Sequence, residues 1–155
     1  MAQKSINAGA VTDSSTERLH EFGRLRFETD GGVEKVYQYV QVVDAAVADG
    51  DALEVANATN PYIVSNDRSG GSSIAGVPAG VAVGTIAANS YGWILVRGYK
   101  ANAKTDGSVA AGQAVIRASA DGVLDSADSI SAGKTFGTAL ANDTTSRGKV
   151  FVSTL

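Results

Sequence analysis

Apolar and polar positions alternate along most of this chain with a period close to two. Leu25-Arg26-Phe27-Glu28 alternates, Thr29-Asp30-Gly31-Gly32 interrupts, and an extended run over 33–43 follows through Tyr37 and Tyr39. Two such runs joined by a Gly-Gly turn predict a β-hairpin. Shorter β-branched and aromatic runs recur at 53–55, 62–64 (after the Asn60-Pro61 turn signal), 81–86, 92–99, 113–118, 122–124, 136–140 and 149–154. Turn signals roughly 8–12 residues apart mark a sandwich or barrel. The pattern predicts a mainly β chain: a single small β-barrel or β-sandwich-like domain over residues 22–155. A helix has room only within 138–141 or in the first twenty-one residues.

One phrase returns four times: a β-branched residue, two positions, a glycine, two positions, an apolar residue. It reads Val47-Ala48-Asp49-Gly50-Asp51-Ala52-Leu53, Val77-Pro78-Ala79-Gly80-Val81-Ala82-Val83, Val109-Ala110-Ala111-Gly112-Gln113-Ala114-Val115 and Ile130-Ser131-Ala132-Gly133-Lys134-Thr135-Phe136. The central glycine predicts a corner between two extended segments. The glycines stand 30, 32 and 21 residues apart, too unevenly for a solenoid repeat.

Residues 1–21 break the alternation. Ser5, Thr12, Ser14, Ser15 and Thr16 crowd the segment, which reads as a flexible arm able to order on a neighbour. Asp13 or Ser14 as N-cap with Glu17 behind it allows one helical turn over 13–19.

Composition narrows the picture. The 155 residues are 44% hydrophobic and 19% charged, which suits one globular domain. The apolar share is mostly Ala and Val beside 18 Gly, with one Trp and one Met, so each side chain buries little area. Help from a partner surface or from oligomerisation is therefore expected. A net charge of −3 leaves no electrostatic footprint for nucleic acid. The first residues lack the apolar core of a signal peptide. Between Arg68 and Arg97 lie 28 uncharged residues with Gly76, Gly80 and Gly84 at GxxxGxxxG spacing. Pro78, Asn89, Ser90 and the scarcity of Leu and Phe favour buried strands over a membrane helix.

Candidate chemistry is sparse. With no cysteine the chain has no disulfide, no thiolate metal site and no cysteine nucleophile. Gly133-Lys134-Thr135 resembles the tail of a phosphate-binding loop, but the glycine that loop needs five residues earlier is Asp128. Asp49-Gly50-Asp51 lies in an acidic stretch without the alternating ligands of a Ca²⁺ loop, and reads as a turn with solvated charges. His20 is the one histidine, and no Gly-x-Ser-x-Gly elbow accompanies it. The expectation is a non-enzyme without metal or cofactor. Arg18, Arg24 and Arg26 around His20 make a small basic face. With Ile6, Val11 and Phe22 they are the candidate interface residues. A second reading is a carbohydrate-binding or tail-fibre-type module that uses Tyr62, Tyr91 and Trp93 as a platform.

The valine–glycine phrases at 47–55 and 109–117 look like strand–turn pieces of lipoyl or biotinyl carrier domains, but no Met–Lys attachment motif follows. Over residues 22–155 the chain resembles the head decoration, or cement, proteins of tailed bacteriophages. The resemblance rests on the hairpin, on Val-Ala-Asp-Gly-Asp-Ala-Leu, on Gly92-Trp93-Ile94-Leu95-Val96-Arg97-Gly98, and on the ending from Ala132 to Leu140 followed by Lys149-Val150-Phe151-Val152. It implies a β-barrel-like subunit, often a homotrimer, made in the bacterial cytoplasm. Such a subunit sits on the outer surface of the virion capsid and clamps neighbouring major capsid subunits, frequently through an N-terminal arm.

Overall fold

The hairpin forms as its alternation predicts. The structure, a computed structural model, describes residues 9–67, 76–127, 134–143 and 145–155. Strand β2 (Leu25–Asp30) pairs antiparallel with β3 (Val33–Val42), with Asp30 opposite Val33. Only Gly31 and Gly32 lie between them, both at positive φ (58° and 83°). Two consecutive positive-φ residues match the right-handed twist of the flanking strands, which is why this turn takes glycine.

The other strands are β1 (Ser14–Ser15), β4 (Ala52–Val55), β5 (Ile63–Ser65), β6 (Pro78–Ala82), β7 (Ser90–Lys104), β8 (Ala114–Arg117), β9 (Leu124–Ser126), β10 (Thr135–Ala139) and β11 (Arg147–Ser153). All eleven join one sheet, and no helix occurs among the described residues. The path β3–β5–β4–β6–β7 returns to β3, because β7 pairs along β3 from Val36 to Val42. A second path, β7–β11–β10–β8–β9, comes back beside the end of β7 through a bridge between Thr105 and Leu124. The mainly β, sandwich-like reading holds, and the fifteen-residue β7 is the element both halves share.

Side-chain alternation on β3 and β7 separates two cores. Val36, Val40, Val42, Ile94 and Val96 join Leu53, Val64 and Ala82 in one cluster. Tyr37, Tyr39, Trp93 and Leu95 point the other way, into a cluster with Val115, Leu124, Phe136, Val150 and Val152. Both strands are thus buried on two faces, so 93–96 reads as a continuous apolar run.

The repeated phrase builds its expected corner twice among the described residues. At Gly50 (φ 89°) the Asp51 amide donates to Ala48 O at 3.1 Å and Asp51 Oδ2 accepts from the Ala48 amide at 3.0 Å. At Gly112 (φ 83°) Gln113 does the same to Ala110, at 3.2 and 2.8 Å. The residue after the glycine therefore locks the turn with its own side chain. The second phrase is a correction. Gly80 is mid-strand in β6, where a Cβ would stand 2.6 Å from Leu95 O; it permits close approach of β7. The turn belongs to Gly76 instead (φ 87°). The fourth phrase falls largely outside the described residues, as does Asp128.

Two helical expectations are corrected as well. Residues 138–139 continue β10, and residues 13–19 form no helical turn: Ser14 and Ser15 pair with Gly92 and Tyr91. That edge of β7 is left open by β6, which reaches only Ile94 and Leu95. An unpaired edge is satisfied more fully by a strand than by a lone helical turn. No helix of the described residues is long and apolar enough to cross a membrane.

Candidate functional site

The candidate site gathers where the N-terminal segment crosses the start of β7. Opposed registers on β3 and β7 place Tyr39 beside Trp93, their rings 5.2 Å apart and edge-on at 63°. Tyr91 lies 6.4 Å from Tyr39 and nearly parallel to it. Beyond β1 the chain turns back across these rings, fixed by the Leu19 amide donating to the Tyr39 hydroxyl at 3.1 Å. His20 then packs 5.0 Å from Tyr39 and 5.2 Å from Trp93, and Phe22 lies 6.0 Å from Tyr91.

Arginines close the cluster from outside. Arg18 sits 5.2 Å from the Phe22 ring centre and Arg26 5.9 Å from that of Trp93, both within cation–π range. Arg24 Nη1 is 3.4 Å from His20 Nδ1. Arg26 donates to Gly9 O at 2.8 Å and pairs with Glu28 at 2.6 Å, tying β2 to the segment crossing above it. Burial, then the charges of Arg24 and Arg26, hold the His20 pKa below the ordinary histidine value. Between segment and sheet remains a cavity of about 340 Å³, walled by Gly9, Asp13, Ser14, His20, Tyr39 and Trp93 among others.

Five of the seven sequence-derived candidates, Arg18, His20, Phe22, Arg24 and Arg26, therefore converge on one end of the domain. Val11 does not join them: it packs partly buried against the second core cluster and lines another cavity with Tyr37, Leu95, Tyr99 and Lys100. Ile6 lies outside the described residues. The platform reading meets a different geometry. Trp93 is only 3% exposed beneath His20 and Arg26, and Tyr62 packs against the other core cluster.

Around this end the surface carries apolar groups. Leu19 is 64% exposed on the crossing segment, and on β2 Leu25 and the 64%-exposed Phe27 stand opposite Gln38 and Val36, on the sheet face away from Arg26. β2 ends the sheet path with β3 as its one partner strand among the described residues.

Asp49-Gly50-Asp51 corrects the reading of a solvated turn. A Cβ on Gly50 would stand 2.3 Å from Asn102 O, so the corner is pressed against β7. Asp49 pairs with Lys100 and Asn102, Arg147 donates to Asp49 O at 2.7 Å, and Lys104 stands 3.4 Å from the buried Asp51. Burial pushes Asp49 up, but hydrogen bonds from Lys100 and Asn102 and the charges of Lys100 and Arg147 outweigh it and hold the carboxyl low. Sequence reasoning also missed the Glu54–Arg117 pair, which joins β4 to β8 with both side chains buried. Its signal was a lone charge in each of two apolar strands, 63 residues apart. These groups form the joint between the two halves of the fold.

Among the described residues, no group of three or more His, Asp or Glu is placed to hold a metal ion. Lys134, the remnant of the phosphate-loop motif, is exposed just before β10. Neither protein-family models, curated proteins nor solved structures include a match to the chain.

Proposed function

We propose that the chain is a structural virion subunit that decorates the outer surface of a tailed-phage head, bridging neighbouring major capsid subunits. The observation that carries this reading is the end where Arg18, Arg24 and Arg26 ring an aromatic cluster beside the exposed Leu19, with Leu25 and Phe27 exposed on the other face of β2. Aromatic residues and arginines next to apolar surface are the composition of a protein-docking face. The resemblance to decoration proteins supplies the partner's identity. Trimerisation would turn one weak contact per subunit into a firm clamp through effective concentration.

Co-sedimentation with expanded tailed-phage heads tests the proposal. The full chain is expected to pellet with the heads. The double variant Arg18→Glu/Arg24→Glu is expected to lose at least tenfold in affinity with its circular dichroism unchanged. Failure of the native chain to bind, or equal binding by the variant, overturns it. The second reading, a carbohydrate-binding module, draws on the aromatic-walled cavity and predicts glycan-array binding in place of head binding.

A further inference from the structure

The chain contains one histidine and one tryptophan, and the fold puts them in contact. His20 belongs to the segment 9–21 that straps across β7, while Trp93 belongs to the strand beneath it. Among the described residues the strap is tied down by two residues of strand pairing, the Leu19–Tyr39 and Arg26–Gly9 hydrogen bonds and the packing of Val11 against a core cluster. Under it lies the cavity of about 340 Å³, so contact between strap and sheet is incomplete. We propose that His20 is a protonation latch: neutral, it packs the strap onto Tyr39 and Trp93, and protonated, it releases the strap and uncovers those rings.

The charges around His20 set the direction. Arg24 from the segment leading into β2 reaches its Nδ1, and Arg26 from β2 occupies the Trp93 face. β3 and β7 contribute only Tyr39, Tyr91 and Trp93 to this side. From the strap, Arg18 is engaged on Phe22, Glu17 and Glu21 are exposed, and Asp13 lies on the cavity wall. Asp13 already accepts from the Ala10 amide, and Glu28 is already paired with Arg26. An imidazolium beside an aromatic ring gains roughly 0.5–1 kcal/mol at an exposed site. Here the Trp93 ring already carries a guanidinium and a second one touches the imidazole, so repulsion and desolvation outweigh that gain. His20 titrates lower when the strap is down, for the same reasons of burial and neighbouring arginines. The lifted state therefore binds more protons. Closure is complete above the ordinary histidine value of about 6.5 and weakens as pH falls through it toward the lowered value.

Trp93 is a built-in reporter for this latch, and the readout needs no partner, so it is independent of capsid binding. Steady-state fluorescence and acrylamide quenching are measured from pH 8 to pH 4.5, with far-ultraviolet circular dichroism as a control for unfolding. The full chain is expected to show a red shift and at least a twofold rise in quenching below pH 6.5, at constant secondary structure. His20→Gln should lack that transition. A disulfide clamp, Ser15→Cys/Tyr91→Cys, should suppress it when oxidised and restore it when reduced. The latch is overturned if quenching is flat until the fold melts, or if His20→Gln shows the same transition.

Discussion

A charged residue buried within a strand has to find its counter-charge within the fold. Glu54 and Arg117 are 2% and 7% exposed and pair across the joint between the halves, and Arg117 also donates to Asn66 O and lies 3.9 Å from Asp121. Removing one member strands a buried charge, whereas replacing both with apolar groups removes the desolvation cost along with the attraction. Arg117→Met is expected to destabilise the chain by about 3–5 kcal/mol. The double variant Glu54→Leu/Arg117→Met is expected to recover most of that loss in urea unfolding monitored by Trp93. A double variant as unstable as the single one would show that the pair itself stabilises the joint. Gly50 acts at the same joint in another way, since its positive φ and the carbonyl 2.3 Å from a Cβ position leave no room for a side chain.

Among the elements, the hairpin was the most legible in the sequence and the strap the least. The hairpin advertises itself because alternation, β-branched residues and Gly-Gly all act within a dozen residues. Its turn tests the assignment. Gly31→Asn keeps a side chain that tolerates positive φ, and no atom lies within 4 Å of a Cβ there. That variant should match the native unfolding free energy within about 0.5 kcal/mol, while Gly31→Val should cost about 1–2 kcal/mol through the left-handed backbone. The strap was invisible because strand pairing at Ser14 and Ser15 uses main-chain atoms, which leave no pattern in side chains. A serine-rich segment reads as free until a neighbour's open edge is known.

Across the whole molecule the shared β7 couples the two halves. Its faces belong to two cores, and its length pairs with β1, β3, β6 and β11. Acid should loosen this coupling at the joint. Asp49 titrates below the ordinary carboxylate value, so its contribution is whole above about pH 3.9 and is lost as pH falls through the lowered value. Asp106 adds to the same limb: burial raises it, and hydrogen bonds from Ser108 more than reverse that. Asp49→Asn is therefore expected to flatten, without abolishing, the fall of the urea midpoint below about pH 4. An unchanged slope would remove Asp49 from the joint.

The sequence by itself determined the strand content, the hairpin and the turns at Gly50 and Gly112, because these follow from periodicity and from φ preferences within a few residues. It also named most of the arginines and aromatics of the candidate face, though not their convergence. Tertiary structure alone decided that Gly80 lies in a strand, that Asp49 and Asp51 face the joint, that Glu54 meets Arg117, and that the strap lies over Trp93. Each of these depends on a partner that sequence distance conceals, across a sheet where residues dozens of positions apart share one hydrogen bond or one dry space.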